Sequence, residues 1–233
     1  MSSKYALPVH VQISEMLIRE IQAGRLVDGQ RLEPERIMAQ RYGIAVGTLR
    51  KALANLTEKG MLVRIQGSGN YVRARSDVES IYSFYRVELL QGGGLPTAEI
   101  LSVERMDKPD HLPQFGKSQR AHRIRRIRRL AGTPAVLEEI WLDDSYAPRL
   151  DTKTMSESLY LYYREKLGLW ITGAEDNLTA AALPDWSPQD FALPPGSPAL
   201  LVTRHSVSRD GEVAEVSQNW INTNVAKYVA RMA

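Results

Sequence analysis

Apolar residues recur every fourth position at Val9, Ile13, Leu17 and Ile21, the spacing of one face of a helix, within residues 8–23. Pro8 can open this amphipathic helix and Gly24 can close it. A second helical pattern follows Pro34, whose missing N–H would be unpaired in a first helical turn in any case, and runs through Ile37, Met38 and Tyr42. Gly43 then supplies a stop where positive φ is allowed. Four residues later a third pattern, Leu49, Leu53 and Leu56, continues to Gly60. Two short helices joined this tightly, the second carrying Thr48, Arg50 and Lys51 near its start, are the sequence form of a DNA-reading helix-turn-helix. The runs Leu62–Gln66 and Tyr71–Arg73, split by Gly67-Ser68-Gly69-Asn70, predict a β-hairpin wing. Gln30–Leu32 predicts a short strand pairing with that hairpin.

After the polar stretch 74–79 the pattern changes. We expect a linker there, with a boundary near Ser76 between an amino-terminal domain, 1–75, and a longer body, 76–233. Ile81–Leu90 is an apolar segment, broken by Gly92-Gly93-Gly94-Leu95-Pro96, and Glu99–Arg105 alternates as a strand. Residues 121–130 and 135–142 flank Ala131-Gly132-Thr133-Pro134, a hairpin-like turn. A helix is predicted over 156–167, a strand over Leu169–Ala182 and a short helix over Asp185–Phe191. Leu200–Ser208 and Val213–Asn222 make a last hairpin around Arg209-Asp210-Gly211-Glu212. Strands and helices are segregated rather than alternating, so the body is read as α+β, an antiparallel sheet with helices on its faces.

Composition narrows the function classes. With no cysteine there is neither a disulfide framework nor thiolate chemistry, and the four scattered histidines lack zinc-ligand spacing. No run approaches a membrane span, and the first residues lack a signal peptide's apolar block, so a cytoplasmic protein needing no metal or other cofactor is expected. Charge is unevenly shared. Residues 1–75 hold 12 of the 30 Lys/Arg and 6 of the 27 Asp/Glu, leaving 18 and 21 for the body. A basic head on a mildly acidic body suits a nucleic-acid-binding domain attached to something else.

The stretch from Pro8 to Val72 resembles, along its whole length, the winged helix-turn-helix of the GntR family of bacterial transcription regulators. The matching motifs are Leu32-Glu33-Pro34-Glu35-Arg36, the turn and reading helix from Gly43 to Arg50, Ala52-Leu53 through Gly60, and Gly67-Ser68-Gly69-Asn70-Tyr71-Val72. The resemblance implies that Arg36 reaches a guanine edge, the commonest specific base contact of an arginine. It implies DNA contacts from Thr48 and Arg50, and a close backbone approach at Gly69. Alternatives for two of these are a solvated Arg36 and a Gly69 that merely forms a turn. Three departures stand out. Ala45 replaces the serine that would cap the reading helix, Val46 the arginine after it, and Pro34 the serine of the first motif. The operator is therefore expected to differ from the common family site.

The body resembles the UTRA domain, the effector-binding half of the HutC subfamily, similar in fold to chorismate lyase. The likeness rests on the glycine turn at 92–96, the stretch 126–138, the start of the helix at 154–160 and the stretch 195–215. Residues 123–129 contain five arginines, and strand alternation puts Arg126 and Arg128 on one face and Arg123, Arg125 and Arg129 on the other. The resemblance points Arg126 and Arg128 into a ligand cavity, where an anion would pair them bidentately. It adds Glu138, Glu215, Thr154, Ser158 and Tyr160 to the same cavity, with Ser83 and Phe84 as further candidates. The alternative is a structural ion-pair network of these arginines with Glu138 and Glu215. The odd-numbered arginines are read as a solvated face or a dimer contact.

Together these expectations describe a DNA-binding transcription regulator acting as a repressor, a homodimer on a near-palindromic operator, controlled by a small anionic metabolite. Two alternatives are a chorismate-lyase-like enzyme, for which no nucleophile–base pair is legible, and an effector-independent DNA-binding protein with a vestigial pocket.

Overall fold

The computed structural model describes residues 7–74 and 80–231. Three helices form the first core. In α1 (Val9–Gln22), Ile13, Leu17, Ile18 and Ile21 pack against Met38 and Ala39 of α2 (Glu35–Arg41) and Leu49, Leu53 and Leu56 of α3 (Val46–Glu58). Val9, part of the expected stripe, stays exposed at the first turn. Pro34 stands one residue outside α2, as its cap rather than its first helical residue. The wing consists of β1 (Leu62–Ile65) and β2 (Gly69–Val72), antiparallel, with Leu62 opposite Val72 and both closing the helical core. Residues 29–32 lie along the free side of β2. Gly29 N–H donates to Val72 O, Val72 N–H to Gln30 O and Leu32 N–H to Asn70 O, and Arg31 sits opposite Tyr71. The short strand expected at 30–32 is thus reduced to one bridge.

The chain divides into two compact units, Leu7–Tyr85 and Arg86–Ala230. The boundary expected near Ser76 falls at 75–79, outside the described residues. Residues 80–85 belong to the first unit. Ser80 Oγ and Ile81 N–H both donate to the buried Glu15 carboxylate of α1, at 2.7 and 3.0 Å, and the Tyr85 ring lies 5.0 Å from Arg19 Cζ. The apolar segment Ile81–Leu90 is accordingly not one element: a turn comes first, and its remainder from Arg86, containing β3 (Val87–Leu89), belongs to the second unit.

The second unit adds β4 (Pro96–Asp107), β5 (Arg120–Leu130), β6 (Thr133–Asp143), α4 (Leu159–Tyr162), β7 (Ile171–Ala182), β8 (Pro198–Ser208), β9 (Val213–Ile221) and β10 (Ala226–Tyr228). Six of them make one antiparallel sheet in the order β4-β5-β6-β9-β8-β7, and β3 pairs with β10 separately. This is an α+β domain. The helix expected over 156–167 is shorter: Ser158 caps a single α-turn, a π-type turn Tyr163–Leu167 continues it, and left-handed Gly168 ends it. One sheet face, through Ile124, Ile140 and Leu142, packs under Leu159, Tyr162 and Tyr163. The other, through Ile127, Leu137 and Trp220, packs under Leu183 and Phe191.

The β5–β6 hairpin turns on Ala131 and Gly132 alone, both at positive φ, so Thr133 and Pro134 are already strand. Next to it lies a bulge: Arg129 faces Pro134, but Arg128 faces Val136, leaving Ala135 as the extra residue. The bulge sets the register of everything beyond it. Without it Arg126 would face Leu137; with it, Arg126 faces Glu138.

Candidate DNA interface and effector site

The amino-terminal unit presents an open groove between the start of α2, α3 and the wing. Arg36 and Arg50 project into it from the two helices, and Gly69 forms its edge at the wing. Arg50 Nε is 2.6 Å from Glu35 Oε2, an exposed pair that water screens. Thr48, half-buried, and Lys51, exposed, sit on α3 outside this lining. Sequence reasoning missed two further arginines of the groove, Arg31 and Arg64. Among the described residues, no carboxylate pairs with Arg31, Arg36 or Arg64. A surface holding cations in excess of its carboxylates, with one helix presented by its first turn, attracts a polyanion and can read base edges.

In the second unit Arg126 and Arg128 are both buried at 4 % exposure and converge on Glu138. Arg126 Nε donates to Glu138 Oε2, and Arg128 Nε lies 3.3 Å from Glu138 Oε1. The Nη1 of each arginine also donates to the Glu157 carbonyl, at 3.3 and 3.1 Å. Ser158, the next residue, uses its Oγ to accept the Leu161 N–H. A second polar group lies further along the same sheet face. Tyr163 Oη donates to Glu215 Oε2 at 2.7 Å, Ser206 Oγ to Glu215 Oε1 at 3.0 Å, and Tyr160 Oη is 2.7 Å from Ser206 Oγ. Beyond these, Arg204 grips Asp176 through Nε and Nη2, each at 2.6 Å, and Tyr228 Oη donates to the same carboxylate.

Burial governs the protonation states here. It pushes the Glu215 carboxyl up, against the opposing pull of its Tyr163 and Ser206 donors. It pushes Tyr160 and Tyr163 up as well, so both phenols stay protonated and Tyr163 remains a donor. Burial would also raise Glu138, but the Arg126 and Arg128 guanidiniums outweigh it and hold that carboxyl below the usual range. Burial lowers Arg126, with Arg128 adding like charge.

The structure thus brings together Arg126, Arg128, Glu138, Ser158, Tyr160 and Glu215. Of the other candidates, Thr154 lies outside this cluster, and Ser83 and Phe84 fall in the other unit. Thr154 is exposed in a turn, its Oγ1 directed to Asp151. Ser83 and Phe84 belong to the turn of the first unit, Ser83 Oγ donating to Ser80 O. Glu215 does not bond the arginines; its partners are hydroxyls. The odd-numbered arginines are not a bare solvated face either: Arg123 pairs with Glu104, Arg125 with Glu139, and Arg129 with Glu99 and Asp190. Sequence reasoning missed Tyr163, Ser206, Arg204, Asp176, Tyr228 and the Glu157 carbonyl.

A winged helix-turn-helix beside an antiparallel α+β domain with a charged, hydroxyl-rich inner face defines a class, the transcription regulators that join a DNA-binding head to a sensing domain. Residues 10–72 match the bacterial regulatory proteins of the gntR family and residues 91–227 match the UTRA domain, and the chain belongs to the GntR family with a UTRA domain. It is 57% identical over 227 residues to the HTH-type transcriptional regulator SmoD of Agrobacterium fabrum, covering 97% of each chain. It is 28% identical to the mannosyl-D-glycerate transport/metabolism system repressor MngR of Escherichia coli, covering 95% of this chain and 94% of that one. Its fold is shared by the crystal structure of the possible transcriptional regulator YydK from Bacillus subtilis, with TM-score 0.54 and 19% identity over 96% of this chain and 99% of that chain. The family and these relatives are regulators of transcription, not enzymes.

Proposed function

We propose that this protein is an effector-controlled repressor of the HutC subfamily. A cytoplasmic homodimer, it would set one winged helix on each half of a near-palindromic operator, with Arg36, Thr48, Arg50, Lys51 and Gly69 against the DNA. A small anionic metabolite, held by Arg126, Arg128, Glu138, Ser158, Tyr160 and Glu215, would favour a dimer arrangement that fits the operator poorly. Such control requires the metabolite to bind the two arrangements with different affinity.

One observation carries the effector reading: two buried guanidiniums on one strand face, both directed at the Glu157 carbonyl next to Ser158. Planar bidentate donors of this kind suit a carboxylate or phosphate. The name of one relative, the mannosyl-D-glycerate transport/metabolism system repressor MngR, is consistent with this, glycerate being a carboxylate. The pairing of both arginines with Glu138 favours the other reading, a structural ion-pair network in an effector-independent DNA-binding protein.

A thermal-shift screen against anionic metabolites separates the two, because a ligand that binds only the folded protein raises its apparent stability saturably. The informative variants are Tyr160→Phe and Ser158→Ala. Removing both arginines would leave Glu138 buried without its partners, at a cost of roughly 3–5 kcal/mol, and confuse unfolding with lost binding. A saturable rise in the wild type, weakened in both variants, supports the effector site. A panel without such a rise, or a rise unchanged in both variants, returns the cluster to a structural role. For the head, Arg36→Ala and Arg50→Ala should each abolish operator binding in a mobility-shift assay, and unchanged affinity in both would overturn the docking.

A further inference from the structure

The wing reaches its tip without a cation. From Ile65 through Gln66, Gly67, Ser68, Gly69 and Asn70 the loop carries no Lys or Arg. A positive charge nevertheless stands there, brought by a different part of the chain. Arg31 comes from the segment before α2, whose backbone is fixed to β2 on both sides of it, through Gln30 and Leu32. Its guanidinium lies over Gly69: a methyl group built on that glycine would stand 3.2 Å from Arg31 Nε and 3.8 Å from Nη2. Gly69 itself has φ +136, which L side chains rarely adopt. The glycine therefore does two things, making the turn and clearing the space in which Arg31 lies along the wing.

Arg31 is exposed and pairs with no carboxylate among the described residues. It shares its groove with Arg36 and Arg50, so a duplex engaged by those two side chains passes the wing at Arg31. Among the described residues no hydrogen bond or ion pair holds the guanidinium. Its anchored backbone and free head are what a phosphate contact requires, since the arginine fork binds phosphate oxygens bidentately without reading sequence.

We propose that Arg31 is a further DNA contact at the wing, binding a backbone phosphate beside Gly69. The proposal rests on the head docking described above, and its test keeps the two apart. Arg31→Ala, Arg31→Lys and Arg36→Ala in the full chain are titrated at several salt concentrations. One probe is a random-sequence duplex, the other a duplex selected in vitro by the wild-type protein. Arg31→Ala should weaken binding to both duplexes by the same factor, about tenfold, and lower the slope of log affinity against log salt by about one. Arg31→Lys, which keeps the charge, should restore most of the affinity and the slope. Arg36→Ala should instead lose affinity mainly for the selected duplex.

If Arg31→Ala binds both duplexes within twofold of wild type at an unchanged slope while Arg36→Ala fails, the Arg31 inference is overturned and the docking stands. A loss confined to the selected duplex also overturns it, because that is base reading rather than phosphate binding. If neither arginine matters, the docking itself is wrong.

Discussion

Ala45 precedes the reading helix α3 with φ −67 and ψ 143, the extended geometry of a helix cap, yet its side chain offers no oxygen to the first-turn N–H groups. Those donors are left to water and, in a complex, to DNA phosphate, which helix N-termini bind readily. Ala45→Ser should therefore stabilise the amino-terminal unit by about 1 kcal/mol, read as a raised urea midpoint followed by far-ultraviolet circular dichroism. A midpoint at or below the wild-type value would show that the cap position is already satisfied. At the same scale, Arg31 shows how far spacing alone can go. It stood in plain view, one residue before the motif at 32–36, but its place against Gly69 depends on a pairing between residues 29–32 and β2 that strand alternation does not announce. Helical spacing places Arg36 and Arg50 on their helices, whereas their DNA contacts are what the family resemblance implies.

Elements were legible where periodicity and turn chemistry agreed, and illegible where a bulge intervened. The three helices and the wing follow from apolar steps of three and four and from glycine punctuation. The body's long strands were each anticipated within a few residues, while β3 and β10, three residues apiece, carry too little pattern to be seen. Register is another matter. Counting back from the Ala131-Gly132 turn puts Leu137, not Glu138, opposite Arg126; the extra residue Ala135 corrects this. In the last hairpin Val207 faces Val213 but Ser206 faces Glu215, with Ala214 as the extra residue, so the Ser206–Glu215 hydrogen bond was equally hidden. The polar site thus depends on two irregularities that leave no composition signal. The segment 80–85 is a third case of tertiary placement. Its hold on the first unit is Glu15, 2 % exposed, which also receives Lys59 Nζ at 3.0 Å. Glu15→Ala strips the acceptor from Ser80 Oγ and the Ile81 N–H, at a cost of roughly 2 kcal/mol. The expected signature is faster amide exchange across 81–85 with the α3 amides still protected. Unchanged exchange at 81–85 would mean that packing, rather than Glu15, holds the segment.

Over the whole molecule the two units can be followed separately, because all four tryptophans, Trp141, Trp170, Trp186 and Trp220, lie in the second. Their fluorescence therefore reports the second unit alone. Burial alone would raise Asp143 and Asp176, but Lys108 and Arg204 respectively, with further hydrogen bonds, hold both carboxyls below the usual range. Glu138 is held down by Arg126 and Arg128 in the same sense. A carboxylate whose folded pKa is depressed stabilises the fold above its unfolded value, about 4, and that stability is lost as pH falls through the folded value. The urea midpoint of the tryptophan signal should accordingly fall steeply below about pH 4. Asp176→Asn, which keeps the shape but gives up the ion pair with Arg204, should lower the midpoint at neutral pH and flatten that fall. Glu215 runs the other way. Burial raises its pKa, so the fold favours the protonated acid, and the buried anion costs stability increasingly as pH rises above the ordinary glutamate value. Glu215→Gln removes that cost, while its amide oxygen can still accept from Tyr163 and Ser206. Relative to wild type, Glu215→Gln should gain more stability at pH 8 than at pH 4. A variant that lost more at pH 8 would mean that Glu215 is a stabilising anion, drawn into the field of Arg126 and Arg204 and therefore part of one continuous charged network across the sheet.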